Sequence, residues 1–199
     1  MIEVLVVGAG PAGSAAALAL ARAGHEVLLV DRCRFPRLKP CGEYFNPECA
    51  RLLRELGVLP ELLASGGRTI PALSLGRRGE PGLVASFDEV APGAESAFSI
   101  GREVLDTALV RRAQAEGVAL WEEALVREPL VEEGRVVGAR VCVNGVEREV
   151  RARLTLAADG LRSRFARRLG LGRGDGGRRK LGLTARFARS EERRVGKEC

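Results

Sequence analysis

The stretch VVGAGPAG, residues 6–13, decides how the rest of the chain is read. It follows Ile2 to Val7, a short apolar and largely β-branched run with the pattern of a strand buried on both faces. In such a setting Gly8 permits a tight turn out of the strand. Gly10 lets the backbone approach a pyrophosphate, and Gly13 lets helix and strand pack closely. Pro11 suits the first turn of a helix, Ala12 lies within it, and an Ala/Leu-rich segment carries it on to Ala23. Gly24 closes the helix, and Glu26 to Val30 reads as a second buried strand ending at Asp31.

Together these make a βαβ unit of about 30 residues, the size of a mononucleotide-binding half. The helix N-terminus offers unpaired N–H groups and a positive dipole end to phosphates. Asp31 stands 18 residues beyond Gly13, where a carboxylate accepts hydrogen bonds from adenosine ribose hydroxyls. An acid there disfavours a 2′-phosphate, and so disfavours NADP in this turn. The plainer reading is an Ala/Gly-rich helix start followed by an exposed strand-end aspartate. Spacing alone leaves NAD and FAD both open.

The chain has 199 residues, enough for one good-sized domain or for one domain and part of another. Its formal charge of +6 is unevenly spread. Residues 1–150 carry 17 Lys+Arg against 21 Asp+Glu, and residues 151–199 carry 15 against 5. Such asymmetry can mark a nucleic-acid or membrane contact. Only eight aromatics occur, and no basic run is interleaved with them for base stacking, which argues against nucleic acid. Five cysteines without a CxxC, and His25 as the sole histidine, give no zinc set and no disulfide framework. Reduced thiols in a cytoplasmic protein are the expectation. Val4 to Ala21 is an uncharged run of 18 residues, but the glycines interrupt it and Glu3 precedes it. A strand, turn and helix fit it better than a membrane span or signal peptide.

Further along, Arg32 to Asn46 reads as an ordered loop with Pro36, Pro40 and the Cys41-Gly42 pair. Pro47 to Leu56 reads as a helix capped by Asn46. Residues 70–100 give short strands broken by Gly and Pro, and Gly101 to Glu116 returns to helix with Val104, Leu105, Ala108 and Leu109 on one face. From Val118 the pattern is strands at 118–121, 124–131, 135–143 and 146–152. Tight connections at Glu133-Gly134 and Asn144-Gly145 mark an antiparallel meander. Leu154 to Ala158 is another apolar strand ending at Asp159-Gly160, and a short basic helix follows over 161–169. Beyond Gly170 lies a Gly/Arg-rich stretch, and 181–188 has the pattern of one more strand.

Four separated motifs resemble the FAD-dependent oxidoreductases that include geranylgeranyl reductases and p-hydroxybenzoate hydroxylase-like monooxygenases. They are the block from VVGAGPAG through Asp31 and Arg32; KPCGE at 39–43 with the segment after it; IGREVLDTALVRRA at 100–113; and LAADGLRSRFARRLG at 156–170. The resemblance implies an α/β, Rossmann-like FAD-binding fold with a parallel sheet, a three-stranded antiparallel meander and part of a substrate-side sheet. It implies that residues 1–170 form the FAD-binding domain, with 70–100 contributing to the substrate-side sheet. Residues 171–199 would then begin a substrate domain.

The resemblance further implies that the loop with Cys41 and Gly42 lies near the flavin ring. It implies that Arg102 contacts the FAD phosphate and ribityl region, and that the backbone of Val126 meets adenine. Asp159 and Gly160 are implicated in FAD and pyridine-nucleotide contact. Each has a plainer reading: Arg102 as a surface arginine at a helix start, Val126 as a core valine, and Asp159 as the cap of the next helix. Cys41 lacks the CxxC partner of a redox thiol. Glu43 and Tyr44 are candidates for facing the substrate cavity, but no residue is assigned a catalytic role.

In this class the flavin carries the hydride and electron chemistry, so no catalytic triad or metal set is needed. KPCGE favours a reductase or dehydrogenase acting on an apolar or aromatic small molecule over an aromatic hydroxylase, with NAD(P)H as the candidate electron donor. A flavin-dependent halogenase is disfavoured, since Trp121 is the only tryptophan. A prenyl substrate would bring peripheral membrane contact without a span. The later Gly-Asp segment of these proteins is not found after residue 170, and the terminal SEERRVGKEC reads as non-native sequence. The chain is therefore expected to be an N-terminal fragment that exposes apolar surface and holds FAD weakly or not at all, or a non-catalytic dinucleotide-binding piece.

Overall fold

A computed structural model describes residues 1–76 and 82–171 of the chain. In chain order the elements are β1 (Ile2–Val7), α1 (Pro11–Arg22), β2 (Val27–Val30), β3 (Tyr44–Phe45), α2 (Pro47–Glu55), α3 (Leu59–Ala64), β4 (Arg68–Ile70), β5 (Ala72–Leu75) and β6 (Leu83–Ser86). Then follow α4 (Phe87–Val90), β7 (Ala97–Ser99), α5 (Arg102–Ala115), β8 (Ala119–Trp121), β9 (Ala124–Glu132), β10 (Arg135–Val143), β11 (Val146–Ala157) and α6 (Arg164–Arg168). The predicted strand at 181–188 lies outside the described residues.

The architecture grows from β1. Its residues Val4 to Val7 are buried, Leu5 and Val6 completely, because the sheet is covered on both faces. Burying each such side chain contributes roughly 1.5–3 kcal/mol. The principal sheet runs β8-β2-β1-β11-β10-β9. On one face Val4, Val6 and Leu29 pack against Ala17 and Leu18 of α1 and Val110 and Ala113 of α5. On the other, Leu5, Val7, Leu28 and Val30 meet Ala139, Val141 and Val150 of the meander and Phe165 of α6. A third cluster joins α2, α3, Phe98 and the second face of α5.

Several expectations hold. The uncharged run at 4–21 resolves into strand, turn and helix, and among the described residues no helix is long and apolar enough to cross a membrane. Asn46 caps α2 by accepting from the Cys49 N–H at 2.8 Å. The hairpin turns at Glu133-Gly134 and Asn144-Gly145 have positive φ at both residues, the type I′ geometry that matches strand twist.

The strand expected at 118–121, β8, pairs parallel with β2 and stands outside the three-stranded meander, because α5 returns the chain across the sheet before it. Three details differ. The two strands expected at 146–152 and 154–158 are one 12-residue strand, β11. Its first half pairs antiparallel with β10 and its second half parallel with β1, so one strand joins the meander to the nucleotide half. The strands between 68 and 99 fall into two separate small sheets, β3-β7-β4, which β3 joins from earlier in the chain, and β5-β6, and the basic helix spans only Arg164–Arg168.

Candidate functional site

The C-terminal ends of β1, β2 and β11 meet at the glycine turn. Gly8 leaves β1 with φ +101°, and its N–H donates to Val30 O at 2.8 Å. A Cβ on Gly8 would stand 2.5 Å from Ala158 O, and one on Gly13 would stand 1.8 Å from Gly8 O. These two glycines therefore allow backbone to touch backbone, first between the turn and the Ala158-Asp159 loop, then between helix and turn. Gly10 differs. A Cβ there would have a single near neighbour, the Arg37 guanidinium, with Nη2 at 3.7 Å. Space in front of Gly10 is open except for that cation.

Pro11 occupies the first turn of α1, where its missing N–H costs nothing, and Ala12 is exposed beside it. Asp31 ends β2, and only 7% of it is exposed. Its Oδ2 accepts from the Ala9 N–H at 2.8 Å, which ties the strand end to the glycine turn, while Oδ1 accepts from the Cys33 N–H at 2.9 Å. The reading of Asp31 as an exposed strand-end acid is thereby excluded.

Arg37 was missed by the sequence reading, which took Arg32 as the arginine of this region. Arg32 is exposed. The Arg37 side chain is only 13% exposed and bridges two buried carboxylates, with Nη2 3.6 Å from Asp31 and 3.4 Å from Asp106. Its guanidinium lies 5.0 Å from the centre of the Phe35 ring, and its buried Nε has no hydrogen-bond partner. The carrying loop is pinned where the Phe35 N–H donates to Glu122 Oε1 at 2.7 Å.

Asp106, completely buried on α5, also anchors Arg102 through two bonds of 2.8 and 3.0 Å. Burial opposes the charge on Arg102, but the Asp106 carboxylate and the neighbouring Cys41 sulfur more than offset this, so its pKa is raised. With its side chain 11% exposed, Arg102 is not a surface arginine. Cys41 is half-buried against it, while Gly42 is exposed.

At the fourth motif, Asp159 Oδ2 accepts from the Arg164 N–H at 2.8 Å and from the Phe165 N–H at 3.4 Å, so Asp159 does cap α6. Its Oδ1 is buried without a partner. Gly160 turns the chain with φ +95°. Val126 is the outlier of the set: it pairs with Val141 in the meander, and its half-buried side chain packs on the core there. A larger cleft of about 1110 Å³ opens at the opposite end of β1, beside Glu3, His25 and Arg153, away from the glycine turn.

A parallel βαβ sheet ending in a glycine turn, a strand-end acid and an inward arginine defines a dinucleotide-binding domain. The chain belongs to the FAD binding domain family, which matches residues 1–188. It is 38% identical over 173 residues to digeranylgeranylglycerophospholipid reductase 1 of Methanopyrus kandleri, covering 85% of this chain and 42% of that protein. It is 37% identical over 169 residues to the menaquinone reductase of Mycobacterium tuberculosis (strain ATCC 25618 / H37Rv), covering 84% and 40%. Among solved structures it resembles the myxobacterial chondrochloren halogenase CndH, an FAD-dependent halogenase, with TM-score 0.75 and 29% identity over 84% of this chain and 39% of that one. The chain thus spans about two fifths of the length of each of these proteins.

Proposed function

We propose that this chain is the nucleotide-holding part of an FAD-dependent oxidoreductase of the reductase type, acting on an apolar or aromatic small molecule with NAD(P)H as electron donor. Residues 1–170 would form the cofactor domain. The observation that carries the reading is Arg37, set between Asp31 and Asp106 and facing the open space at Gly10. An arginine fork with a spare donor, beside the first N–H groups of a helix, suits a pyrophosphate in charge and geometry.

The residues present fit FAD. Gly8, Gly10 and Gly13 shape the turn, with Pro11 and Ala12 starting α1 behind it. Asp31 fixes the turn through Ala9 and presents a carboxylate at the ribose position. Arg37 and Arg102 supply positive charge from two different elements, and the unpartnered Asp159 Oδ1 is a buried acceptor awaiting a donor. Gly160 turns the loop that runs past Gly8, and Arg32, Cys41 and Gly42 line the approach in this reading, while Val126 stays in the meander. Bound FAD supplies hydride and electron transfer at its ring. The chain's own residues hold, orient and neutralise its adenosine and pyrophosphate end.

The names of the two reductase relatives support the reductase branch. A second reading, an aromatic monooxygenase using NAD(P)H and oxygen, draws support from the likeness to CndH, since one scaffold hosts several flavin chemistries. Titrating the protein with FAD and recording its visible flavin spectrum tests cofactor binding. NAD(P)H oxidation with and without oxygen separates the branches: peroxide or hydroxylated product marks the monooxygenase.

A further inference from the structure

Several exposed arginines of the described residues are paired, and one block is not. Arg51, Arg54, Arg140, Arg151 and Arg153 are exposed or half-exposed, and each faces a carboxylate. Arg162, Arg164, Arg167 and Arg168 crowd into seven consecutive residues and form no ion pair with any described residue. All four are exposed. Arg167 only folds back on its own segment, donating to the carbonyls of Ser163 and Arg162 at 3.1 and 3.2 Å.

The fold holds them outward. Phe165, 4% exposed, is inserted into the apolar cluster beneath the meander, so its neighbours on α6 turn to solvent. Between α6 and β9 lies a cleft of about 410 Å³ lined by Val126, Arg127, Glu128, Arg164, Arg167 and Arg168. Its carboxylate, Glu128, is bonded to Arg140 at 2.6 Å. The same segment carries two bare leucines, Leu161 fully exposed and Leu171 72% exposed. Leucines flanking a block of arginines form an interfacial pattern: guanidinium forks meet phosphates while apolar side chains enter the headgroup layer.

We infer that α6 and its flanks dock on an anionic phospholipid surface, through Arg162, Arg164, Arg167 and Arg168 with Leu161 and Leu171 as apolar anchors. Charge complementarity selects this partner: four exposed arginines stand together with no carboxylate paired to them among the described residues. A nucleic acid would need stacking surfaces, and the one aromatic of this segment, Phe165, is buried. A small soluble phosphate would leave the exposed leucines without a role.

Flotation with vesicles tests this directly. The 199-residue chain is expected to float with vesicles containing phosphatidylglycerol and to stay behind with pure phosphatidylcholine. The R164Q/R167Q/R168Q variant should lose about a hundredfold in partitioning, and raised salt should do the same to the parent. Leu161→Ser, a single exposed change that leaves the arginines intact, should weaken binding by a smaller factor that salt does not alter. Failure of the parent to float with phosphatidylglycerol overturns the proposal, as does equal flotation of a triple variant that melts like the parent. Tight capture of inorganic pyrophosphate, lost in the triple variant, would overturn it in favour of a soluble phosphate ligand. FAD takes no part in the assay, so its failure is distinct from failure of the cofactor reading.

Discussion

The nucleotide end of the sheet and the meander treat charge in opposite ways. At the nucleotide end two acids and two arginines, Asp31, Asp106, Arg37 and Arg102, are drawn out of water into one connected group. On the meander, Arg140 faces Glu128 and Glu149 on the strands either side, while Arg127 and Arg151 reach Glu147 and Glu132 across β10, all at the surface. Exposed pairs gain little, because water and salt screen them. Buried groups cost several kcal/mol each to desolvate, and an unpaired one is severely destabilising. This buried set, with Arg37 Nε and Asp159 Oδ1 unpartnered, lies at the place proposed above for the anionic end of the cofactor.

The largest predicted effect lies in the backbone of the nucleotide end. Gly13→Ala places a Cβ on the Gly8 carbonyl and should destabilise by about 4 kcal/mol or more, leaving little folded protein in a denaturant titration. Gly10→Ala places its Cβ at ordinary van der Waals distance from the Arg37 guanidinium and should fold normally while losing cofactor affinity. Next comes Asp106→Ala, which strands two partly buried arginines and should cost about 3–5 kcal/mol by the same measurement. If it proved neutral, the contrast between the two regions would collapse.

Arg37→Met should leave stability nearly intact, since Asp31 keeps two backbone donors and Asp106 keeps Arg102. It should weaken FAD binding by about tenfold to a hundredfold, the loss of one charged hydrogen-bonding partner. The smallest effect belongs to the meander. Arg151→Ala should shift the melting temperature slightly, and salt should erase the shift. Hydrogen bonding and charge from Arg151 hold Glu132 below the usual carboxylate range. A depressed carboxylate stabilises the fold above its ordinary pKa, so the difference between Arg151→Ala and parent should also fade as pH falls through that range.

The parts written locally were legible in the sequence. The glycine turn, its strand and helix, Asp31, the Asn46 cap and the two hairpin turns each follow from neighbouring residues whose geometry has few alternatives. Arg37 was not legible, because nothing in RFPRLKP distinguishes it from Arg32 or Arg34. Its burial depends on how the loop, pinned by Glu122, lies over α5, and Asp106 is far away in sequence. β11 was divided in two for a similar reason: its alternating half and its apolar half answer to different partners, β10 and β1, which periodicity cannot name. Asp106 itself would have been visible as an acid on the otherwise apolar face of α5, next to Leu105 and Leu109.

In the proposed function, four separated motifs form one site for the adenosine and pyrophosphate end of FAD. Isothermal titration of the parent and of Arg37→Met with FAD and with ADP tests it most directly. ADP is expected to bind the parent nearly as well as FAD, because the proposed contacts belong to the part the two ligands share, and both should weaken together in Arg37→Met. FAD and ADP titrations that show no binding to the parent, or that are unchanged by Arg37→Met, would contradict it.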